Sequence, residues 1–165
     1  MKYFAGSLVC LVLIFALGGQ LSAQTQMTSV GTNYGTNTTK VSPLDQDHWV
    51  ATQEITGMRL DDSGKGPFHQ MTTHIVLILY GDKSGVRLHG YSTFVDKDGD
   101  KMMAELWEAS LTSPKGKGKV LGGTGKFAGI EGTVEYEVSN TKGFPEGTGR
   151  TICREVWKLT LKAPL

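Results

Sequence analysis

The 165-residue chain has only two cysteines and almost no excess of either charge. Cys10 lies within an apolar run at the amino terminus, so its removal would leave Cys153 alone, and no disulfide could then form within the chain. With 17 Lys and Arg residues against 16 Asp and Glu residues, the composition does not favour nucleic acid or an anionic surface as a partner. Because no disulfide can form, the fold must be stabilised by its own buried core.

The amino terminus has the features of a secretory signal peptide. Lys2 gives a short positive start, residues 4–17 carry no charge, and small residues precede a cleavage point after Ala23. The run is shorter than the roughly 20 apolar residues that a spanning helix needs, and bulky Val9 disfavours lipid attachment at Cys10. We therefore expect residues 1–23 to be removed, the mature protein to be secreted or periplasmic, and no membrane span to remain.

The mature chain has the length of one domain. Residues 24–47 are rich in Thr, Asn, Gly, Ser and Gln and have few large apolar side chains, a composition that does not offset chain entropy by burial. We predict a flexible lead over residues 24–47 and a folded domain over residues 48–165. The lead contains the sequon Asn37-Thr38-Thr39, which only a eukaryotic secretory pathway would glycosylate.

Beyond residue 47 the apolar residues recur with period 2, as in β-strands. In the segment from His48 to Met58, Trp49, Ala51 and Ile55 share one face. The run from Ile75 to Tyr80 is apolar on both faces, which predicts a strand that is covered on both sides. Further strands are predicted near residues 86–95, 101–109, 118–122, 131–139 and 148–161.

No segment offers a convincing amphipathic helix, and the strands follow one another through short loops. The chain holds 22 glycines, and glycines inside strands permit the bulges and bends that closure of a sheet requires. Closure would also remove exposed strand edges. We predict an all-β fold, a single antiparallel up-and-down barrel of about eight strands, with a β-sandwich as the alternative.

Several residues of the types found in metal sites and catalytic sites are explained by their place in a turn, on a strand face or in the core. Asp96, Asp98 and Asp100 resemble the start of a calcium loop, but Trp107 stands where the twelfth-position glutamate would be, so the pattern indicates a turn. His69 and His74 fall on opposite strand faces, which disfavours a shared metal. Cys153 lies in an alternating stretch typical of a small buried residue. We predict no metal site and no cofactor.

The most specific string is Gly123-Thr124-Gly125-Lys126-Phe127-Ala128-Gly129-Ile130-Glu131-Gly132, in which Phe127 on a single helical turn is expected to plug one end of the barrel. Together with the Asp96–Asp100 hairpin and the strand of Trp107, it resembles small secreted bacterial proteins of the allene oxide cyclase-like and dirigent-like group. The likeness covers roughly residues 48–162.

The resemblance implies an eight-stranded barrel with a central cavity. Some relatives bind an apolar or phenolic small molecule there, and the plant cyclases isomerise an unstable epoxide. The catalytic residues of the cyclases do not match positions of this chain, so the catalytic residues stay unknown and an enzymatic activity stays uncertain.

Ligand contacts are sought among strand residues whose burial would be costly unless they are paired, and among apolar residues able to line a lumen. The polar and aromatic candidates are Glu54, His74, His89, Tyr91, Glu105 and Glu155, and a Glu105–His89 pair across neighbouring strands is one arrangement for proton transfer. The predicted lumen residues are Glu54, Met71, His89, Tyr91, Met103, Glu105 and Trp107. Alternation alone does not decide which strand face points inward.

Three functions remain open. A secreted or periplasmic barrel that binds a small apolar or phenolic ligand in its lumen is favoured. The alternatives are a cavity isomerase or cyclase, which adds a preorganised acid or base, and a structural or interaction module whose lumen its own side chains fill. Association into a homo-oligomer is a further expectation.

Overall fold

A computed structural model describes residues 24–107, 114–142 and 148–162. Eight antiparallel strands close into a barrel in which each strand pairs with its neighbours in chain order and the last pairs with the first. The strands are β1 (Thr25–Pro43), β2 (Trp49–Asp61), β3 (Met71–Asp82), β4 (Gly85–Val95), β5 (Lys101–Trp107), β6 (Lys115–Gly123), β7 (Glu131–Lys142) and β8 (Thr148–Leu161). The predicted eight-stranded antiparallel barrel is confirmed. None of the described segments forms a helix with the length and apolar character needed to traverse a bilayer.

The predicted flexible lead over residues 24–47 is wrong, because most of this segment is β1. It pairs with both β2 and β8, which satisfies backbone N–H and C=O groups whatever the side chains are. Its buried inward residues are small or polar, namely Ser29, Gly31, Asn33 and Asn37, and composition therefore understated its role. The barrel begins at Thr25 rather than at residue 48. The predicted signal peptide, residues 1–23, lies outside the described residues and stays a prediction.

Alternation along each strand separates a packed interior from the outer surface. On β3, Met71, Ile75 and Leu77 are buried, whereas the outward Val76 and Ile78 are 46% and 40% exposed. The prediction that this strand is covered on both sides is therefore not met within one chain, because the described segments form only the barrel wall and its connections.

One end of the barrel, the closed end, is filled by aromatic side chains. Phe68 from the β2–β3 connection packs on Phe127, with ring centroids 5.3 Å apart, and both are buried. Phe127 lies in a 3₁₀ turn (Gly125–Phe127), as expected of a plug. Gly125 has φ +54° and a Cβ there would lie 1.7 Å from Asp100 Oδ1, so only glycine suits this position.

The acidic hairpin between β4 and β5 forms the predicted turn. The carboxylate of Asp96 accepts hydrogen bonds from the backbone N–H groups of Asp98 and Asp100. Lys126 places its Nζ 2.6 Å from Asp96 Oδ2 and 2.8 Å from Asp98 Oδ2, and this contact lowers the pKa of Asp98. The ammonium group thus occupies the position that the calcium-like pattern suggested for a cation. The described residues contain no group of three or more side chains able to hold a metal ion.

Candidate functional site

The interior of the barrel contains a cavity of about 380 Å³. Its lining is mostly apolar: Ile55, Ile75, Leu77, Leu79, Val86, Leu88, Phe94, Leu106, Pro114, Val134, Tyr136, Val138, Cys153 and Trp157. The polar lining residues are Gln53, Asn140, Thr151 and Glu155. Apolar pockets with a few convergent polar groups, between about 300 and 1,000 Å³ in volume, are the usual form of small-molecule sites.

The two ends of the cavity differ. Toward the closed end, the rings of Phe94 and Trp157 meet edge to face, with centroids 5.3 Å apart, and both are 1% exposed. Toward the opposite end, Leu79 and Val138 are half-buried and Asn140 is exposed. The cavity therefore has an aromatic floor and a more solvent-exposed mouth.

Glu155 places a carboxylate in the wall of this cavity. Its Oε2 accepts hydrogen bonds from Nε of Arg59, at 3.1 Å, and from Nε1 of Trp157, at 2.9 Å. Burial raises the pKa of Glu155 above its ordinary value, and the charge of Arg59 opposes this shift only in part. A buried carboxyl with a raised pKa exchanges a proton more readily near neutral pH than a solvated one does.

Arg59 holds Glu155 and is itself wholly buried. Its Nη1 donates to the carbonyl oxygen of Phe68 at 2.7 Å, and its Nη2 donates to Oγ of Ser29 at 2.8 Å. A Cβ at Gly31 would lie 2.8 Å from Nη2, so the guanidinium depends on a glycine in the facing strand. The hydrogen bonds that Arg59 donates to Glu155, Phe68 and Ser29 thus hold its positively charged guanidinium in place beside the carboxyl of Glu155.

The network continues from the lumen to the rim of the closed end. Oγ of Ser29 donates to Oδ2 of Asp61 at 2.6 Å. Partial burial opposes ionisation of Asp61, but hydrogen bonds from Ser29 and Ser63 outweigh it and lower the pKa of this carboxyl. Arg59 therefore lies between one carboxyl whose pKa is raised and one whose pKa is lowered, which makes Glu155 the group that takes up a proton first as the pH falls.

A second polar cluster lies toward the mouth. Nδ2 of Asn37 donates to Oγ1 of Thr151, which in turn donates to Oδ1 of Asn140, both at 2.8 Å. Nε2 of Gln53 donates to Oγ1 of Thr39 at 2.9 Å. Because Gln53, Asn140 and Thr151 also line the cavity, the mouth offers uncharged hydrogen-bonding groups to a ligand.

Six of the seven predicted lumen residues lie on the outer surface of the barrel. They are Glu54, His89, Tyr91, Met103, Glu105 and Trp107, and their placement in the lumen was wrong. The seventh, Met71, points inward and is fully buried, but it packs in the core near the closed end rather than lining the cavity. The error has one cause, since shifting the assumed face of a strand by one residue moves all its side chains to the other side.

The Glu105–His89 pair expected across neighbouring strands does form, on the outer surface. Nε2 of His89 lies 2.8 Å from Oε1 of Glu105, and Nζ of Lys119 lies 2.8 Å from Oε2. Hydrogen bonds from Lys119 and His89 lower the pKa of Glu105. A second pair of the same kind places Nε2 of His74 2.7 Å from Oε1 of Glu54. These contacts neutralise charge on the surface and do not face the cavity.

Sequence reasoning named Glu155 among the polar candidates but missed Arg59. The signal for Arg59 was present, because it continues the inward alternation of Ala51 and Ile55 along β2. Cys153 is buried as predicted and lines the cavity, and burial raises the pKa of its thiol well above the ordinary value. A thiol so placed is a poor nucleophile.

Comparison with solved structures identifies similar barrels. No protein-family model matches the chain, and no curated protein matches it significantly. A structure of the pterocarpan synthase dirigent protein GePTS1 superposes with a TM-score of 0.51 at 10% identity, covering 84% of this chain and 93% of that one. The pterocarpan synthase dirigent protein PsPTS1 gives 0.47 at 10% identity, over 87% and 97% of the two chains. The allene oxide cyclase-like part of the resemblance stays a prediction, whereas the barrel of this chain has a dirigent-like fold.

Proposed function

We propose that this chain is an exported barrel that binds a small, mostly apolar molecule with a hydroxyl group, such as a phenol, in its lumen. The observation that carries the proposal is the 380 Å³ apolar cavity with the carboxyl of Glu155 in its wall. A dry cavity of about 150 Å³ already binds benzene, so this volume suits a molecule of one or two rings. The volume also weighs against the alternative of a lumen filled by its own side chains.

The chemistry of the lining supports a neutral ligand. Glu155 and Arg59 form a pair, so an added ligand charge at the floor would meet no unpaired opposite charge. A hydroxyl group can donate a hydrogen bond to the carboxylate of Glu155, while the rings pack on Phe94 and Trp157. Gln53 and Thr151 at the mouth suit a second polar group on the ligand.

The first experiment is native mass spectrometry of the protein purified gently from its own compartment, compared with the same sample after denaturation. A reproducible mass adduct that denaturation removes supports the proposal and identifies the ligand class. The intact mass also tests export, because cleavage after Ala23 removes residues 1–23. A full-length mass from the exported fraction would contradict the cleavage.

Titration with 2-naphthol as a probe, followed by Trp fluorescence and calorimetry, tests the lumen directly. We expect 2-naphthol to bind more tightly than naphthalene, because only the former has a hydroxyl group. Leu79→Trp narrows the mouth and should abolish binding, whereas the matched outer substitution Ile152→Trp should leave binding unchanged. Absence of both an adduct and probe binding in the folded protein would overturn the proposal.

A cavity isomerase or cyclase is the second candidate, favoured by one observation. Glu155 is a carboxyl of raised pKa next to an apolar cavity, which is the environment of many general acids and bases. With a ligand in hand, Glu155→Gln separates the two functions. A pure binder keeps most of its affinity and shows no turnover in either form, whereas an enzyme converts the ligand and loses this conversion in the variant.

A further inference from the structure

The β1–β2 turn and the β3–β4 turn lie at the mouth of the barrel and border a groove of about 480 Å³, here called the rim groove. Its lining consists of Val41, Pro43, Asp45, Gln46, Asp47, His48, Trp49, Asp82 and Lys83. An indole ring, two apolar side chains and several hydrogen-bonding groups thus face one concave surface. We propose that the rim groove binds a sugar ring attached to the lumen ligand, which makes that ligand an aryl glycoside. The subsite presupposes the proposed function, because the aromatic part of the glycoside lies in the lumen.

The rim groove adjoins the cavity through one rung of the barrel wall. Trp49 of β2 is opposite Gly81 of β3, and Gly81 is opposite Val86 of β4. Val86 lines the cavity, whereas Trp49 lines the rim groove. A Cβ at Gly81 would overlap Cε2 of the indole, so the ring of Trp49 lies directly over this glycine. A ligand that extends out of the cavity past Val86 therefore meets the indole next.

The indole of Trp49 is a suitable platform for a sugar ring. One face of a pyranose ring presents C–H groups that pack on an aromatic face, while its hydroxyl groups point outward to polar partners. Trp49 is half-buried, so part of its ring is held against the barrel and part is open to the groove. Asp45, Gln46 and His48 supply hydrogen-bond donors and acceptors around it.

The β1–β2 turn is ordered around one carboxylate. Oδ1 of Asp45 accepts hydrogen bonds from the backbone N–H groups of Asp47 and His48, both at 2.8 Å. Nδ1 of His48 also lies 2.8 Å from Oδ1 of Asp45, which leaves Nε2 as the ring nitrogen for a ligand hydroxyl. Because these contacts hold the polar groups in place beforehand, less entropy is lost when a ligand binds.

The charges of the rim groove favour a neutral hydroxylated group over an ion. Nζ of Lys83 lies 2.6 Å from Oδ2 of Asp47, and this pair joins the two turns that border the groove. Nη2 of Arg87 lies 3.9 Å from Oδ2 of Asp82. Since these carboxylates already face cations of the chain, a charged ligand group gains little there, whereas hydroxyl groups can both donate to the carboxylates and accept from the cations.

The position of Trp49 distinguishes it from other accessible aromatic side chains. Tyr34, Tyr80 and Tyr91 are exposed on the outer surface of the barrel, which is convex. Small ligands bind in concave sites, and Trp49 lies in a groove that is both concave and next to the cavity. The same molecule can therefore occupy the lumen and contact Trp49.

Calorimetric titration of the purified protein with a matched pair of probes tests the subsite. Resveratrol is a two-ring phenol, and resveratrol 3-O-β-D-glucoside carries one glucose on the ring remote from its 4′-hydroxyl group. The aglycone tests the lumen alone, whereas the glucoside also reaches the rim groove. We expect both probes to bind, and the dissociation constant of the glucoside to be about tenfold lower.

Two substitutions in the rim groove should remove this preference. Trp49→Ala deletes the platform and should raise the dissociation constant of the glucoside by about tenfold, and His48→Ala, at an exposed position, should raise it by about threefold. Neither should change the affinity for resveratrol by more than about twofold. The matched control is Tyr34→Ala, which deletes an aromatic side chain on the outer surface and should change neither constant.

Circular dichroism and urea unfolding establish that each variant is folded, and His48→Ala serves alone if Trp49→Ala does not fold. Binding of resveratrol without any preference for the glucoside would overturn the sugar subsite and leave the lumen proposal intact. A preference that both rim variants retain would place the sugar elsewhere and also overturn it. If the folded wild type binds neither these probes nor 2-naphthol, the lumen proposal fails and the subsite fails with it.

Discussion

Arg59 and Glu155 form an ion pair inside the barrel, with Nε of Arg59 3.1 Å from Oε2 of Glu155 and both side chains almost wholly excluded from solvent. The pair joins β2 to β8 across the intervening β1, whose Gly31 leaves the space for the guanidinium. A buried pair of this kind costs much desolvation and is tolerated only when further hydrogen bonds satisfy it. Ser29, Phe68 and Trp157 supply those bonds.

Arg59→Met should destabilise the protein by about 3–5 kcal/mol, because it leaves the carboxyl of Glu155 buried without its partner. The matched substitution Arg87→Met alters an arginine whose side chain is 83% exposed and should cost less than about 0.5 kcal/mol. Urea unfolding followed by Trp fluorescence measures both. Equal effects of the two substitutions would show that the buried pair contributes nothing beyond surface charge.

The pH dependence of stability tests the protonation of Glu155. Because burial raises the pKa of Glu155, there is a pH range in which this carboxyl is still protonated in the folded state but already ionised in the unfolded state. The stabilising contribution of this group is therefore full below the unfolded pKa of about 4.3 and is lost as the pH rises through the folded value. The side chain of the Glu155→Gln variant does not ionise, so the variant does not lose this stability as the pH rises. Its free energy of unfolding should therefore increase relative to that of the wild type above about pH 4.3.

Urea unfolding of both proteins at a series of pH values from about 4 to 8 provides the comparison. Asp61, whose pKa is lowered, acts in the opposite direction and is common to both proteins, so it cancels in the difference. Parallel curves for the variant and the wild type would mean that Glu155 has the same pKa in the folded and unfolded chain.

Cys153 should react slowly with a thiol reagent such as 5,5′-dithiobis(2-nitrobenzoate) in the folded protein. Cys153 is 7% exposed, and burial raises the pKa of its thiol, so little thiolate is available at pH 8. Denaturation in urea should restore rapid reaction of the same cysteine. Because Cys153 lines the cavity, saturating 2-naphthol should slow labelling of the folded protein further. Fast labelling that 2-naphthol does not change would indicate that the probe does not occupy the lumen.

Asn37 should carry no glycan in the folded barrel, although it begins a sequon. Asn37 is 6% exposed, and its Nδ2, the atom to which a glycan would be attached, donates a hydrogen bond to Oγ1 of Thr151 inside the barrel. Intact mass before and after enzymatic deglycosylation, on protein made in a eukaryotic secretory host, measures this. A folded protein glycosylated at Asn37 would contradict the placement of β1 in the barrel wall.

Local patterns predicted much of the wall and one end of the barrel. The alternation in β8 and the turn at Asp96–Asp100 are set by neighbours in sequence, and so is the glycine string that carries Phe127. β1 was missed because its place depends on backbone pairing with two distant strands rather than on its own apolar residues. Amino-acid composition indicates how much apolar surface a segment can bury, whereas β1 stabilises the barrel mainly through backbone hydrogen bonds to β2 and β8.

The site itself was less accessible to sequence reasoning. Glu105 and His89 were both predicted to lie in the lumen, whereas the structure pairs them on the outer surface, because alternation within a strand does not decide which of its faces points inward. Arg59 and Glu155 are 96 positions apart in the chain, and no local sequence pattern predicts the contact between them.

The sequence by itself determined the class of fold, the period of its strands and the turns that join them, because these follow from local backbone preferences and from the spacing of apolar side chains. Only the tertiary structure decided which face is the lumen, that Glu155 lies in it with Arg59, and that Val76 and Ile78 are left outside. The physical reason is that a strand specifies the relative orientation of its own residues, whereas the register with its neighbours and the closure of the barrel choose the direction in which each face points.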